Sequence, residues 1–136
     1  MTAAFSSPSA TLERSTFLRR ALYVDAATCV ATGALMSLDA APLATLLGLP
    51  AALLFWSGVS LFPIAAFMLW VASRRDIPRP GAWLVICGNA GWVAGSALVL
   101  LANAPTALGY AFVIAQAVVV ALLAELEYAG LRRIGA

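Results

Sequence analysis

The residues of this chain that could do chemistry are a few acids and amides set within long apolar stretches. They are Asp25, Asn89, Gln116, Glu125 and Glu127. Carboxylates in such surroundings attract a cation or a proton, and the two amides can hydrogen bond to whatever the acids hold. These five residues are therefore our candidate polar pocket for an ion or a ligand.

This chain lacks the residues that most catalytic sites and metal sites require. The sequence contains no His and no Lys, and its two cysteines, Cys29 and Cys87, are far apart and form no CxxC motif. Haem ligation, a retinal Schiff base and an ordinary zinc site therefore lack their ligands. No phosphate-cradling loop and no thiol near a base is present either. We expect no catalytic residue, no metal and no cofactor.

The composition determines which elements must position the polar residues. Of 136 residues, 63% are hydrophobic and 10% are charged, which is more apolar surface than one soluble domain of this length can bury. Lipid must therefore be part of the solvent. Four spans of about 20 residues use most of the chain and leave no separate soluble domain. We predict an all-α polytopic membrane protein, an antiparallel bundle of four transmembrane helices.

Apolar stretches and the breaks between them place the spans. The polar, Ser/Thr-rich segment 1–15 predicts a flexible cytoplasmic tail, and 16–136 is expected to form a single transmembrane domain. Between the first two spans, Pro42, Gly48 and Pro50 bound a short apolar segment that we predict to be an interfacial helix. The spans are expected at about 17–38, 51–72, 81–101 and 106–131.

All eight basic residues are arginines, and they fall on one side of this arrangement. They precede span one, separate spans two and three, or follow span four: Arg14, Arg19, Arg20, Arg74, Arg75, Arg79, Arg132 and Arg133. Under the positive-inside rule both termini are cytoplasmic, which requires an even number of spans. We expect a multi-pass protein of a bacterial inner or plasma membrane, in contact with the lipid bilayer. No basic tract indicates nucleic acid.

The acids must be accommodated within the bilayer. A charged group at the centre of a span costs about 2.5 to 3.5 kcal/mol, so we expect Asp25 and Glu125 to face the bundle interior. Helical rise places Asp25 and Asn89 each about 12 Å from the cytoplasmic face. The expected ion-pair partners are Arg19 and Arg20, within about two helical turns of Asp25. Such a cluster would either fix helix register or form a polar vestibule open to the cytoplasm.

Three glycines of the third span lie on one helix face. Gly88, Gly91 and Gly95 are spaced by three and four residues, and the last two form a GxxxG pair. Small residues in this pattern let helix backbones approach closely. We predict a helix-contact face, which would pack either against span one or four or against a second copy of the chain.

Several short stretches resemble a group of small, uncharacterised four-span bacterial integral membrane proteins. These stretches are LRRALYVDA at 18–26, LLGLP at 46–50, NAGWV at 89–93, FVIAQA at 112–117 and AELEYAGLRR at 124–133. The resemblance covers most of the chain after the first 15 residues. It implies the four-span layout and brings no activity, cofactor or catalytic residue with it.

Two functions remain open from the sequence. The first is a small non-catalytic membrane protein that binds or passes a small cation, a proton or a lipid-soluble molecule through the polar pocket. Permeation through so short a chain would need a homo-oligomer. The second is a structural or accessory subunit of a larger complex with a membrane-protein partner. A membrane enzyme is the least favoured interpretation, because the usual catalytic residues are missing.

Overall fold

The computed structural model describes residues 8–135 of the chain, and the side chains of residues 15–134. This part of the chain is entirely helical apart from its connections. Its helices are α1 (Pro8–Leu38), α2 (Ala40–Leu47), α3 (Ala51–Ser73), α4 (Arg79–Ala102) and α5 (Ala107–Gly135).

Four of these helices are long and apolar enough to cross a membrane. The spanning segments are Ser15–Leu38, Ala51–Ser73, Arg79–Ala102 and Ala107–Ile134. Their lengths of 24, 23, 24 and 28 residues exceed the roughly 20 that a bilayer core requires. The predicted fold class is confirmed: the chain is a multi-pass membrane protein built as a four-helix bundle, with the short helix α2 between its first two spans.

The first helix begins earlier than the sequence predicts. We expected a flexible tail over 1–15, but α1 begins at Pro8. A proline suits the first turn of a helix, because an N–H at that position would have no helical partner. Leu12, Glu13 and Arg14 are good helix formers and continue the turn. The remainder of the predicted tail, 1–7, lies outside the described residues.

Helix α2 is tied to the start of α5. It ends at Gly48, whose φ of +67° is the left-handed conformation that glycine adopts without strain. The Thr106 backbone N–H donates to the Leu47 carbonyl at 3.0 Å, and the Thr106 hydroxyl donates to the Leu46 carbonyl at 2.7 Å. These bonds hold α2 across the end of the bundle where α1 and α4 finish.

Packing around the bundle is uneven. Helix α1 packs closely against α3 and also against α5, α4 packs mainly against α5, and α3 and α4 make few contacts with each other. At the α1–α3 contact, a Cβ added to Gly33 would lie 2.8 Å from the Gly58 carbonyl oxygen, and one added to Gly58 would lie 2.8 Å from the Ser37 nitrogen. Only glycine allows this approach. The weakly packed boundary between α3 and α4 is called the α3–α4 seam below.

The described arginines all lie at one end of the bundle, called the arginine end below. There the Arg19 guanidinium donates to the backbone carbonyls of Ala72, Arg74 and Arg75. The last carbonyls of a helix have no partner within it, so Arg19 of α1 satisfies the end of α3. Arg133 lies over the Phe17 ring, 4.4 Å from its centroid, which ties the end of α5 to α1.

Candidate functional site

Three polar side chains from three helices meet inside the bundle. Asn89 of α4 donates from Nδ2 to Oδ2 of Asp25 at 2.6 Å and to Oε1 of Glu127 at 3.0 Å. The exposed fractions of Asp25, Asn89 and Glu127 are only 1%, 6% and 0%. We call these three residues the carboxyl cluster. It brings together three of the five residues that the sequence singles out.

Helical periodicity explains why these side chains face inward. On α5, Leu123, Glu127 and Leu131 recur every four residues, and all three are buried. On α4, Val85 and Asn89 are likewise buried on the face turned toward the bundle. Residues three or four apart share one face of a helix, so each polar residue lies within an apolar stripe that must face protein.

Among the described side chains, residues 15–134, no arginine faces the two acids of the cluster. The Cys29 thiol lies 3.8 Å from Oδ1 of Asp25 and is its second hydrogen-bond donor. Oε2 of Glu127 is buried and has no hydrogen-bond partner within the described part of the chain. Both carboxyl oxygens bound by Asn89 lie within about 6 Å of each other, because they share one donor nitrogen. Two acids therefore converge on a single neutral amide.

The structure corrects the predicted ion pairs of Asp25. Arg19 is turned to the carbonyls at the end of α3, and Arg20 is exposed. The guanidinium of Arg19 is occupied by carbonyls that lack a helical partner, and Arg20, about 100° further around α1, faces outward. The expected salt-bridge cluster of Asp25, Arg19 and Arg20 is therefore not formed.

The structure also corrects which acid of α5 is inside. The sequence predicts that Glu125 faces the interior, but Glu125 is exposed and Glu127 is fully buried. Residues two apart on a helix point about 200° away from each other, so only one of the two can face the bundle. Both acids were candidate pocket residues, and Glu127 is the one that meets Asp25 and Asn89.

Gln116 belongs to a separate polar group further from the arginine end. Trp92 Nε1 donates to Oε1 of Gln116 at 2.6 Å, and Nε2 of Gln116 donates to the Ser96 hydroxyl at 2.9 Å and to the Val113 carbonyl at 2.9 Å. We call Trp92, Ser96 and Gln116 the middle layer. Gln116 precedes Glu127 by three helical turns, about 16 Å along α5, whereas Trp92 follows Asn89 by about one turn of α4.

A cavity of about 630 Å³ lies between the carboxyl cluster and the middle layer. It is lined by Asp25 and Asn89 of the carboxyl cluster and by Trp92 and Gln116 of the middle layer. All four long helices contribute to its walls, which are mostly apolar. We call this space the main cavity. Its aromatic lining residues Phe67, Trp92 and Phe112 were not among the candidate site residues. Their spacing in the sequence does not distinguish aromatic residues that line a cavity from those that fill a core.

A second cavity of about 320 Å³ lies on the other side of the middle layer. Trp92, Phe112 and Gln116 line both cavities. The hydrogen bond between Trp92 and Gln116 therefore lies at the boundary between the two spaces. Together the two cavities extend over much of the length of α4, from Leu84 to Val99.

The predicted glycine face lies against this open space. A Cβ added to Gly88, Gly91 or Gly95 would meet no atom within 4 Å, so these glycines make no close helix contact within the bundle. Gly88 lines the main cavity, while Gly91 and Gly95 line the second. The predicted packing against span one or four is therefore not observed. Close packing instead uses Gly33 and Gly58, for which the only sequence signal is the small pair Gly33 and Ser37 four residues apart.

Neither a metal site nor a known relative helps to interpret this arrangement. Among the described residues, no group of three His, Cys, Asp or Glu side chains could hold a metal ion. Comparisons with protein families, curated proteins and solved structures gave no match. The geometry of the carboxyl cluster, the middle layer and the cavity between them is therefore the basis for interpreting function.

Proposed function

We propose that this chain is a non-catalytic integral membrane protein that binds a lipid-soluble molecule in the main cavity. The observation that carries the proposal is the cavity itself, with apolar walls from four helices and hydrogen-bonding groups from both the carboxyl cluster and the middle layer. Small-molecule sites combine mostly apolar walls with a few polar groups that orient the ligand. A volume of about 630 Å³ lies within the usual range for such sites.

The α3–α4 seam gives a lipid-soluble molecule a route into the cavity. These two helices make few contacts with each other, and Gly88 of α4 leaves open space where a larger side chain would stand. Ile64 of α3 and Leu84 of α4 line the cavity and are themselves partly exposed at the bundle surface. A molecule dissolved in the bilayer can therefore reach the cavity sideways, without first crossing water.

We also propose that the arginine end and both termini face the cytoplasm of a bacterium. The support is the arginine distribution, because cytoplasmic loops carry the excess of basic residues. In a background without Cys29 and Cys87, Ser73→Cys should react with a membrane-impermeant maleimide only after lysis. Asp39→Cys, at the opposite end, should react in intact cells. If Ser73→Cys reacts in intact cells and Asp39→Cys reacts only after lysis, the orientation is the opposite of the one proposed. Ser73 and Asp39 are both exposed.

Photolabelling tests the proposed binding site. The protein in lipid nanodiscs is irradiated with a lipid-soluble diazirine-bearing benzyl alcohol, and the adducts are mapped by mass spectrometry. We expect adducts on Phe67, Trp92 and Phe112, and we expect Gly88→Phe to reduce them by filling the cavity. Ala90→Phe is the matched control, because Ala90 is exposed on α4 and does not line the cavity. Equal labelling of the two variants would overturn the proposal.

The alternative proposal is a structural or accessory subunit of a larger membrane complex. The observation that favours it is again the α3–α4 seam, where Gly91 and Gly95 leave room for a helix of another protein to pack closely. Extraction in a mild detergent distinguishes the two roles. A stoichiometric partner protein that protects the seam from labelling would support the alternative, and a protein that purifies alone and still binds the probe would reject it.

A further inference from the structure

We propose that the ligand of the main cavity is a lipophilic organic monocation whose charged head lies against Asp25. This inference rests on the proposed function and adds the chemical class of the ligand. It starts from a mismatch in the bundle: two acids lie together inside it, and none of the basic side chains that the structure describes meets them.

The first step is the charge around Asp25, considered helix by helix. Helices α2 and α3 contain no charged residue, and α4 has only Arg79, at its first position. Helix α5 contributes Glu127 to the cluster, whereas its basic residues Arg132 and Arg133 lie in its last turn. On α1 itself, Arg19 is bound to the end of α3 and Arg20 is exposed. Asp25 therefore faces another acid, an amide and a thiol.

The second step is the hydrogen bonding of the cluster. Asn89 donates from a single nitrogen to both acids, and Oε2 of Glu127 has no donor among the described residues. Two buried carboxyl groups this close together cannot both be ionised without repelling each other, and a buried charge is stable only when it is paired. A cationic head next to Asp25 would pair the charge of that carboxylate, whereas an anion would add repulsion.

The third step is the wall of the cavity beyond Asp25. Phe67, Trp92 and Phe112 line it, and the faces of aromatic rings attract cations as well as apolar groups. The Thr28 and Thr32 side chains also line the cavity, one and two turns along α1 from Asp25. The arrangement suits a positive head at one end and an apolar or aromatic body that extends toward the middle layer.

The same walls disfavour an inorganic cation. Calcium takes six to eight oxygen ligands, and magnesium requires a nearly ideal octahedron of them. Among the side chains described here, no group of three acids, cysteines or histidines has an arrangement that could hold a metal ion. An organic cation needs only one or two acceptors, because its apolar body provides the remaining binding energy.

A pair of nearly isosteric probes tests this inference. 1-Pyrenemethylamine is a cation at neutral pH, and 1-pyrenemethanol is its neutral counterpart. Each is titrated into nanodiscs of phosphatidylcholine that contain wild-type protein, Asp25→Asn or Asp39→Asn, and binding is followed by energy transfer from tryptophan to pyrene. Asp39 is exposed at the opposite end of the bundle, so Asp39→Asn controls for the loss of one acid.

We expect saturable binding of the amine to wild type and Asp39→Asn, and binding about tenfold or more weaker to Asp25→Asn, because a buried charge pair loses one partner. The alcohol should bind wild type more weakly than the amine and should not distinguish wild type from Asp25→Asn. Glu127→Gln retains Asp25 and removes the second acid, so it should weaken amine binding by a smaller factor. It provides the same comparison if Asp25→Asn does not fold.

The failures of the two proposals can be distinguished. If the amine binds wild type, Asp25→Asn and Glu127→Gln equally well, and Gly88→Phe still blocks both probes, the ligand class is wrong and the cavity remains the binding site. If neither probe binds wild type saturably and Gly88→Phe changes nothing, the proposed function fails together with this inference.

Discussion

The side-chain nitrogen of Asn89 lies 2.6 Å from Oδ2 of Asp25, although the two residues are 64 positions apart in the chain. The same nitrogen lies 3.0 Å from Oε1 of Glu127. One amide thus joins α1, α4 and α5 at one level of the bundle. Because all three side chains are buried, the rotation of each helix about its axis is coupled to that of the other two.

Removal of this amide should destabilise the bundle. Asn89→Leu leaves both carboxyl groups of the cluster without their shared donor, so we expect a loss of about 1 to 3 kcal/mol in the free energy of unfolding. Thermal unfolding of the detergent-solubilised protein, followed by circular dichroism, measures the loss. Asn103→Leu is the control, because the Asn103 side chain, directly after α4, donates to the Val99 carbonyl of that helix and joins no other helix in the described part of the chain. Equal melting temperatures would show that the cluster does not hold the helices together.

The two acids of α5 should respond differently to neutralisation. Glu127→Gln removes one of the two facing acids and adds an N–H donor, so we expect stability to rise by about 1 kcal/mol. Glu125→Gln, two residues away on the exposed side, should change stability by less than about 0.5 kcal/mol. Unfolding of both variants in the same detergent tests the difference. A larger effect at Glu125 would mean that the other face of α5 is inside.

Substitution of glycine by alanine should destabilise the bundle at some positions and not at others. Gly58→Ala places a Cβ 2.8 Å from the Ser37 nitrogen and 2.9 Å from the Gly33 carbonyl oxygen, so α1 and α3 must separate, at a cost of about 1 to 3 kcal/mol. Gly91→Ala meets open space and should be neutral or slightly stabilising, since alanine favours the helix. Melting temperatures of the two variants provide the comparison. If Gly91→Ala destabilises more than Gly58→Ala, α4 has a close partner at that face.

Substitution of the two neighbouring arginines of α1 should change the stability of the bundle by different amounts. Arg19→Gln removes the donor to the last carbonyls of α3, and we expect a loss of about 1 to 2 kcal/mol. Arg20→Gln removes the same charge from an exposed position and should cost less than about 0.5 kcal/mol. Both changes remove one basic residue from the arginine end, so any effect of charge on membrane topology is the same in the two variants. Chemical denaturation in detergent separates the two variants, and equal losses would contradict the role given to Arg19.

The sequence predicts the spans well because length and hydropathy are properties of the chain alone. The second span was expected at 51–72 and is Ala51–Ser73, since Pro50 and the polar residues after it mark both ends. Depth follows from the helical rise in the same way. It places Asp25 and Asn89 at a similar level, and the structure finds them hydrogen bonded.

What the sequence does not determine is the rotation of each helix about its axis. Depth alone cannot choose between Glu125 and Glu127, because that choice depends on which face α5 turns toward α1 and α4. For the same reason Gly91 and Gly95 appeared suited to close packing, while the actual contact uses Gly33 and Gly58. The competition of the α3 carbonyls for Arg19 depends on three-dimensional neighbours that a local sequence window does not contain.

A cryo-electron microscopy structure of the wild-type protein in lipid nanodiscs, with 1-pyrenemethylamine added, tests the central claim most directly. We predict density for the probe between Asp25 and Trp92, with its amine within hydrogen-bonding distance of the Asp25 carboxyl group. A bundle in which α3 and α4 close against each other, with no space between the carboxyl cluster and the middle layer, would contradict the proposed binding site.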